Sequence, residues 1–282
     1  MTNALIDEGY RLAAGITRSR ARDIYRISQL IPEPLRQHIY AVCAFCSMCT
    51  DAAGNDDSPV LGLANARSVL DEAYSGHACA HPVGAAFQHT VHAHRIPREH
   101  FDDLMDEMND ASATLRYADF DALKKHCHRS LGVIGLIVLA LLQIEDPTLE
   151  RYADDLGIAI RLTQIMQNIN QDISHGRIFL PMDEMKAHYL TENDLETKKC
   201  NGGFKACLRI QLDRARSLYR SADKGIVAIR NWRTRLAIRA FARINEGILD
   251  EIETADYDVF RKNTMTTEWF KFKTLVSSFL SA

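Results

Sequence analysis

From Gly157 to Met185 the chain reads GIAIRLTQIMQNINQDISHGRIFLPMDEM, an apolar helical run with polar residues where a packed helix carries Leu or Ala. If residues 161–174 are helical, spacings of three and four put Gln164, Asn168, Gln171 and Asp172 on one face. Ile160, Leu162, Ile165, Met166, Ile169 and Ile173 take most of the rest. Burying such a stripe costs about 1–3 kcal/mol for each group left unpaired. Either partner helices satisfy it or it lines a wet cavity that holds a ligand, and four stacked amides and acids favour the cavity. The spacing predicts that the helix stops at Gly176, and Pro181 forces the residue before it into an extended form, so Arg177 to Leu180 leave as an extended segment.

This stretch resembles the pattern Q-L-T-N-I-x-R-D-x-x-E-D-x-x-x-G-R-x-Y-L-P of the squalene and phytoene synthases, which join two prenyl diphosphates head to head. In that family the first and last acids of D-x-x-E-D bind magnesium; their places hold Asn168 and Asp172, and Gln171 replaces the acid beside the last. Leu35 to Asp51, LRQHIYAVCAFCSMCTD, resembles the other metal-binding segment, R-x-A-x-x-A-L-Y-A-F-C-R-x-x-D-D-x-x-D. There the family arginine is Ser47, the acids are Thr50, Asp51 and Gly54, and only Asp51 keeps a carboxylate. Of the four carboxylates that define the two metal pairs, Thr50, Gly54 and Asn168 replace three, while Asp172 remains. Gln167 replaces a second arginine. Asp56 reaches the first site only through a register slip; Gly54-Asn55-Asp56 also reads as an ordinary turn, which is favoured.

The resemblance runs from Tyr25 to Arg261. The run from His126 to Gly135 is similar to Y-C-Y-R-x-A-G-x-V-G, with His126 and His128 at the tyrosines and with Gly132 and Gly135 as the glycines that let two helices and an isoprenoid tail pack closely. Each histidine is either a satisfied core or rim residue or a general acid or base. Asp110 stands near the family's G-M-x-x-D-L element, and residues 257–262 match its G-Y-D-V-F-x-R ending.

Helical patterns cover 6–31, 35–50, 59–75, 82–94, 97–112, 204–229 and 236–254, with Thr191 and Asp194 as a capping box. Without strand-like alternation, repeats or a long linker, the economical reading is one all-α domain over 1–282. The resemblance makes it a single-domain isoprenoid synthase bundle around a central cavity. A net charge of −3 gives no polyanion signal and argues against nucleic acid. Seven cysteines, an odd number set mostly in apolar helical runs, read as reduced thiols in a cytoplasm. The clustered histidines at 77, 81, 89, 92 and 94 read as surface residues rather than a metal site, and Arg209, Arg214, Arg216 and Arg220 as a solvated face. No signal segment or membrane span is expected, although a greasy substrate could draw a cytoplasmic protein to a membrane surface.

Three functions stay open. The first is an enzyme that folds and condenses or cyclises a long unsaturated isoprenoid or polyene by proton transfer, without the usual ionisation of a diphosphate. Asp51, Asp110, Asp172, His126 and His128 are its acid–base candidates, and Asn168 joins the catalytic set. Gln164, Gln167, Gln171, Arg177, Tyr40, Phe45, Gly132 and Gly135 would contact the hydrophobic substrate. The second is a magnesium-dependent prenyl diphosphate synthase or terpene cyclase, with a reduced metal complement held weakly by Asp172, Asn168 and Asp51; no other cofactor is implied. The third is a non-catalytic assembly factor.

Overall fold

Apolar residues recur at helical spacing along most of the chain, and the computed structural model, which describes residues 3–53, 59–110 and 116–260, is helical to match, with no strand among those residues. The turn at 54–57 and the pair Arg261-Lys262 lie outside the described residues, as does the side chain of Asp110. The helices are α1 (Asn3–Arg20), α2 (Arg22–Ser28), α3 (Leu35–Ala53), α4 (Pro59–Tyr74), α5 (Pro82–Ala93), α6 (Glu99–Asp110) and α7 (Phe120–Cys127). A π-turn at His128–Gly132 leads to α8 (Val133–Leu141), α9 (Pro147–Ser174), the short α10 (Met182–Ala187) and α11 (Glu192–Glu196), α12 (Gly202–Ala228) and α13 (Trp232–Thr254). The helical pattern over 6–31 is broken at Ala21, whose φ of −129° and ψ of 59° leave the helical region. Thr191 and Asp194 form the expected capping box, and all seven cysteines are free.

The chain divides into two compact units. The first comprises Met1–Ser112, Val133–Glu150 and Arg230–Ala237; the second comprises Ala113–Gly132, Arg151–Ile229 and Ile238–Ala282.

In the first unit α3 packs against α1, α4 and α5. Its core is an aromatic triad: Phe45 and Phe87 stack with centroids 4.2 Å apart, and Phe101 meets both edge-on at 5.5 and 5.0 Å. Such edge-to-face pairs add about 0.5–1.5 kcal/mol each beyond area burial. Beside it lies a polar knot that includes His89, exposed as the sequence reading expected, and His94, which is half-buried. Tyr10 Oη lies 2.9 Å from His38 Nδ1, 2.8 Å from His89 Nδ1 and 3.1 Å from Thr90 Oγ1. His94 packs edge-on against His38 at 4.6 Å. Burial, with His94 and His89 adding repulsion against the partial pull of Glu33, lowers the His38 pKa to about 4. The unfolded chain therefore binds more protons than the folded one between pH 6.5 and 4. Stability should be full above pH 6.5 and fall by up to about 3 kcal/mol as pH drops through that window. Urea unfolding midpoints at pH 7 and pH 4.5 check this; equal midpoints would show that the ring is not held neutral.

The second unit is built on α9. Ile158, Leu162, Ile165 and Met166 face Leu208 and Leu212 of α12 and Leu249 and Ile252 of α13 in one apolar cluster. Each large side chain buried there stabilises the fold by about 1.5–3 kcal/mol. Of the α12 arginines expected to be solvated, Arg209 and Arg220 are exposed, while Arg214 and Arg216 are half-buried in ion pairs. Arg214 bonds Glu184 and lies over the Phe120 ring at 3.9 Å, Arg216 reaches Asp250 and Glu253 at 2.7 Å each, and Arg209 reaches Tyr257 Oη at 3.3 Å.

Candidate active site

The end of α9 sets up the site. Gly176 takes φ +72°, a conformation that costs glycine little, and the Gly176 and Arg177 amides close the last turn onto the Ile173 and Asp172 carbonyls at 2.9 Å each. The chain then doubles back as the extended 177–180 segment, bridged to Arg116 through Ile178, before Pro181 opens α10. The reversal returns Arg177 to the helix it has just left, and its Nη2 donates to Asp172 Oδ1 at 3.0 Å. The surrounding walls are apolar, from Ile169, Ile173, Ile178, Phe179, Leu180 and Leu195. Burial raises the Asp172 pKa above the ordinary carboxylate value, although Arg177 and Arg161 both pull it down.

About three turns earlier on α9, Arg161 reaches a second cluster. Its Nε and Nη2 donate to His126 Nε2 at 3.2 and 3.0 Å, and its guanidinium lies 5.3 Å above the Phe179 ring. His126 is buried and packs against both Tyr117 and Phe179, with ring centroids at 5.3 and 5.0 Å, while those two rings stack on each other at 5.7 Å. As an acceptor for Arg161, the Nε2 atom carries no proton, so His126 acts here as a fixed acceptor within an aromatic wall. Phe179 touches both groups of residues: it lines the niche with Asp172 and lies against Arg161 and His126.

His128 opens the π-turn and faces α9 elsewhere. Its Nδ1 lies 2.7 Å from Asp154 Oδ1, and both side chains are partly exposed. Gly132 makes room for that pair, since a Cβ there would lie 2.1 Å from Asp154 Oδ1. Gly157 lets α9 approach the same turn, since its Cβ would meet Leu131 O at 2.1 Å.

The other expected site residues fall as follows. On α9, Gln164 and Gln167 are half-buried while Asn168 and Gln171 are exposed, so only the Asp172 end of the polar face enters an apolar niche. In the first unit Phe45, expected against substrate, is fully buried within the aromatic triad. Tyr40 is also buried, stacked on Tyr25, its hydroxyl 2.9 Å from Ser28 Oγ and accepting from Gln29 Nε2 at 2.8 Å. Gly135 is half-buried in α8. Asp51 is exposed near the end of α3, in an ion pair with Arg20 at 2.9 Å. The sequence reading passed over Arg161, Phe179 and Asp154.

From residue 17 to residue 269 the sequence matches the family model described as Squalene/phytoene synthase. The chain belongs to the squalene/phytoene synthase family. Among its relatives in this family, the phytoene synthase of Arthrospira platensis is 29% identical over 296 residues, 97% of this chain and 93% of that protein. The 15-cis-phytoene synthase of Synechococcus elongatus is 28% identical, over 99% of this chain and 95% of that protein. Two solved structures share the fold. A dehydrosqualene synthase bound to a ligand superposes with a TM-score of 0.89 at 21% identity, over 98% of this chain and 97% of that one. The squalene synthase HpnC from Alicyclobacillus acidocaldarius gives 0.84 at 23% identity, over 91% and 97%. The architecture is therefore the all-α isoprenoid synthase fold, and family members are prenyltransferase-type enzymes.

Family enzymes normally use magnesium with diphosphate substrates. The donors in this chain fit that cluster poorly. At the second family pair, Asn168 is an exposed amide and the Asp172 carboxylate is tied to Arg177. At the first, Asp51 is tied to Arg20. Among the described residues no three His, Cys, Asp or Glu side chains stand together as a cation would need. Magnesium demands near-octahedral oxygen coordination, and a carboxylate engaged by a guanidinium is a weaker donor to it.

Proposed function

We propose that this family member is an enzyme that binds a long unsaturated isoprenoid or polyene chain and condenses or cyclises it by proton transfer at Asp172, rather than by metal-assisted loss of diphosphate. The observation that carries the reading is the state of Asp172: a half-buried carboxyl in an apolar niche, its pKa raised by burial and its orientation fixed by Arg177. A carboxyl in that state can hold a proton nearer neutral pH than a solvated one and release it to an unsaturated carbon; a second double bond then attacks the resulting carbocation, and loss of a proton from the adjacent carbon back to the carboxylate closes the cycle. The amides at Asn168 and Gln171 support the same reading, since they keep hydrogen-bonding capacity where the family pattern has acids. Because the family match runs unbroken through both units, we read 1–282 as one functional domain. No helix among the described residues is long and apolar enough to cross a membrane. A greasy substrate would bring a cytoplasmic protein to a membrane surface only transiently.

A second reading, a magnesium-dependent prenyl diphosphate synthase, is favoured by the near full-length matches to phytoene synthases. A product screen separates the two. The protein is incubated with geranyl, farnesyl and geranylgeranyl diphosphates and, in parallel, with polyenes lacking diphosphate, and products are read by mass spectrometry. Product from a diphosphate-free polyene is the expected result; phytoene- or squalene-like product made only from diphosphates would establish the second reading.

A further inference from the structure

We propose that the turn opening α13, Arg230 to Arg233, is a docking surface for an anionic lipid bilayer, reversible and governed by charge. Trp232 is the first residue of α13 and is 56% exposed, although an indole is among the largest apolar surfaces a side chain can offer a core. The ring is presented by a fixed turn. Asn231 Oδ1 accepts from the Arg233 and Thr234 amides at 3.0 and 3.1 Å, and the Asn231 carbonyl accepts from the Arg235 amide at 2.9 Å, which caps the helix. Thr234 and Leu236, just beyond, are buried. The backbone is therefore ordered before any partner arrives, which removes part of the cost of binding. The charges beside the ring have one sign. Arg230 and Arg233 are exposed, and neither forms an ion pair among the described residues. The Arg233 guanidinium lies 5.5 Å from the Trp232 ring centroid, so cation and indole face the same surface together. Between Asp223 and Glu246 every charged residue of the sequence is basic. The chain as a whole carries −3, so an attraction to anions here is local and not a property of the net charge.

An indole flanked by two arginines without counter-ions matches the headgroup layer of a bilayer, where the ring sits between acyl chains and water and the guanidiniums meet lipid phosphates. An acidic protein fits less well, because a standard interface buries about 800 Å² per partner around a cluster of anchors, and this turn offers a single one. The inference is independent of the chemistry at Asp172. Its test is co-sedimentation of the full-length protein with vesicles of phosphatidylcholine, with and without phosphatidylglycerol. The proposal expects binding at least tenfold stronger to the anionic vesicles and weakened by salt. Substituting both arginines, Arg230→Gln with Arg233→Gln, should weaken it by about fivefold for each charge removed. Trp232→Ala should weaken it by about tenfold. A second measurement stands apart from these variants. The chain has two tryptophans, and in a Trp269→Phe background Trp232 is the sole indole, so its emission should shift to the blue on anionic vesicles and be quenched by brominated lipid. Equal binding to both vesicle types, unchanged binding in the arginine and tryptophan variants, or a Trp232 emission unmoved while the protein sediments would each overturn the proposal. So would binding lost only in Lys271→Gln with Lys273→Gln, beside the other aromatic run of the sequence, or binding to polyglutamate in place of vesicles, which would assign the turn to an acidic protein.

Discussion

Asp172→Asn should reduce turnover by about 10²–10⁴-fold, the contribution typical of a positioned acid or base, while barely moving the melting temperature. The asymmetry follows from how the carboxyl is held. Burial already raises its pKa, so the folded state gains little from its charge, and an amide of the same shape can still accept from Arg177 Nη2. Removing the titration removes the chemistry and leaves the packing against Ile169 and Ile173. A purely architectural Asp172 would give the opposite pattern: a stability loss of about 1–3 kcal/mol with whatever activity the parent has retained. Steady-state rates and thermal melts on the same preparation distinguish the two.

Gly157→Val should destabilise the second unit by about 3 kcal/mol or more. On helix propensity alone, replacing a mid-helix glycine is favourable, by up to about 1 kcal/mol for alanine. Space decides against it. A Cβ at this position would sit 2.1 Å from Leu131 O, 2.5 Å from Leu131 C and 2.6 Å from Gly132 Cα, and all three are backbone atoms that no rotamer change can move aside. The π-turn and α9 would have to separate, opening the buried cluster around Ile158 and Leu162 and pulling His128 from Asp154. Gly157→Ala should show the same effect at smaller size. A chemical denaturation midpoint equal to wild type for either variant would show that the approach is looser than these distances imply.

The parts of the fold legible in the sequence are those set by local chemistry. Gly176 marks the end of α9 because it alone takes a positive φ at little cost, Pro181 marks the extended segment because its ring restricts the residue before it, and Thr191 with Asp194 spells out a cap over four positions. Asp172 was readable as the one surviving acid of a familiar spacing, and its pairing with Arg177, five residues away, is nearly local. What could not be read depends on distant segments meeting. Phe45 has the sequence setting of a cavity residue, but Phe87 and Phe101, from two other helices, take it into the core. His128 and Asp154 are 26 positions apart, and nothing in either neighbourhood announces the other. Arg161 was missed for a different reason: in an apolar helical run an arginine reads as an edge residue, although its place in the family pattern, where glutamine stands, was signal enough to single it out.

In the proposed mechanism, proton transfer at Asp172 replaces metal-assisted ionisation. Its most direct test is the initial rate on the best substrate from the product screen, measured in EDTA and again with millimolar magnesium. The account predicts rates within about twofold of each other, both lost in Asp172→Asn. A rate that is absent in EDTA and restored by magnesium would contradict it.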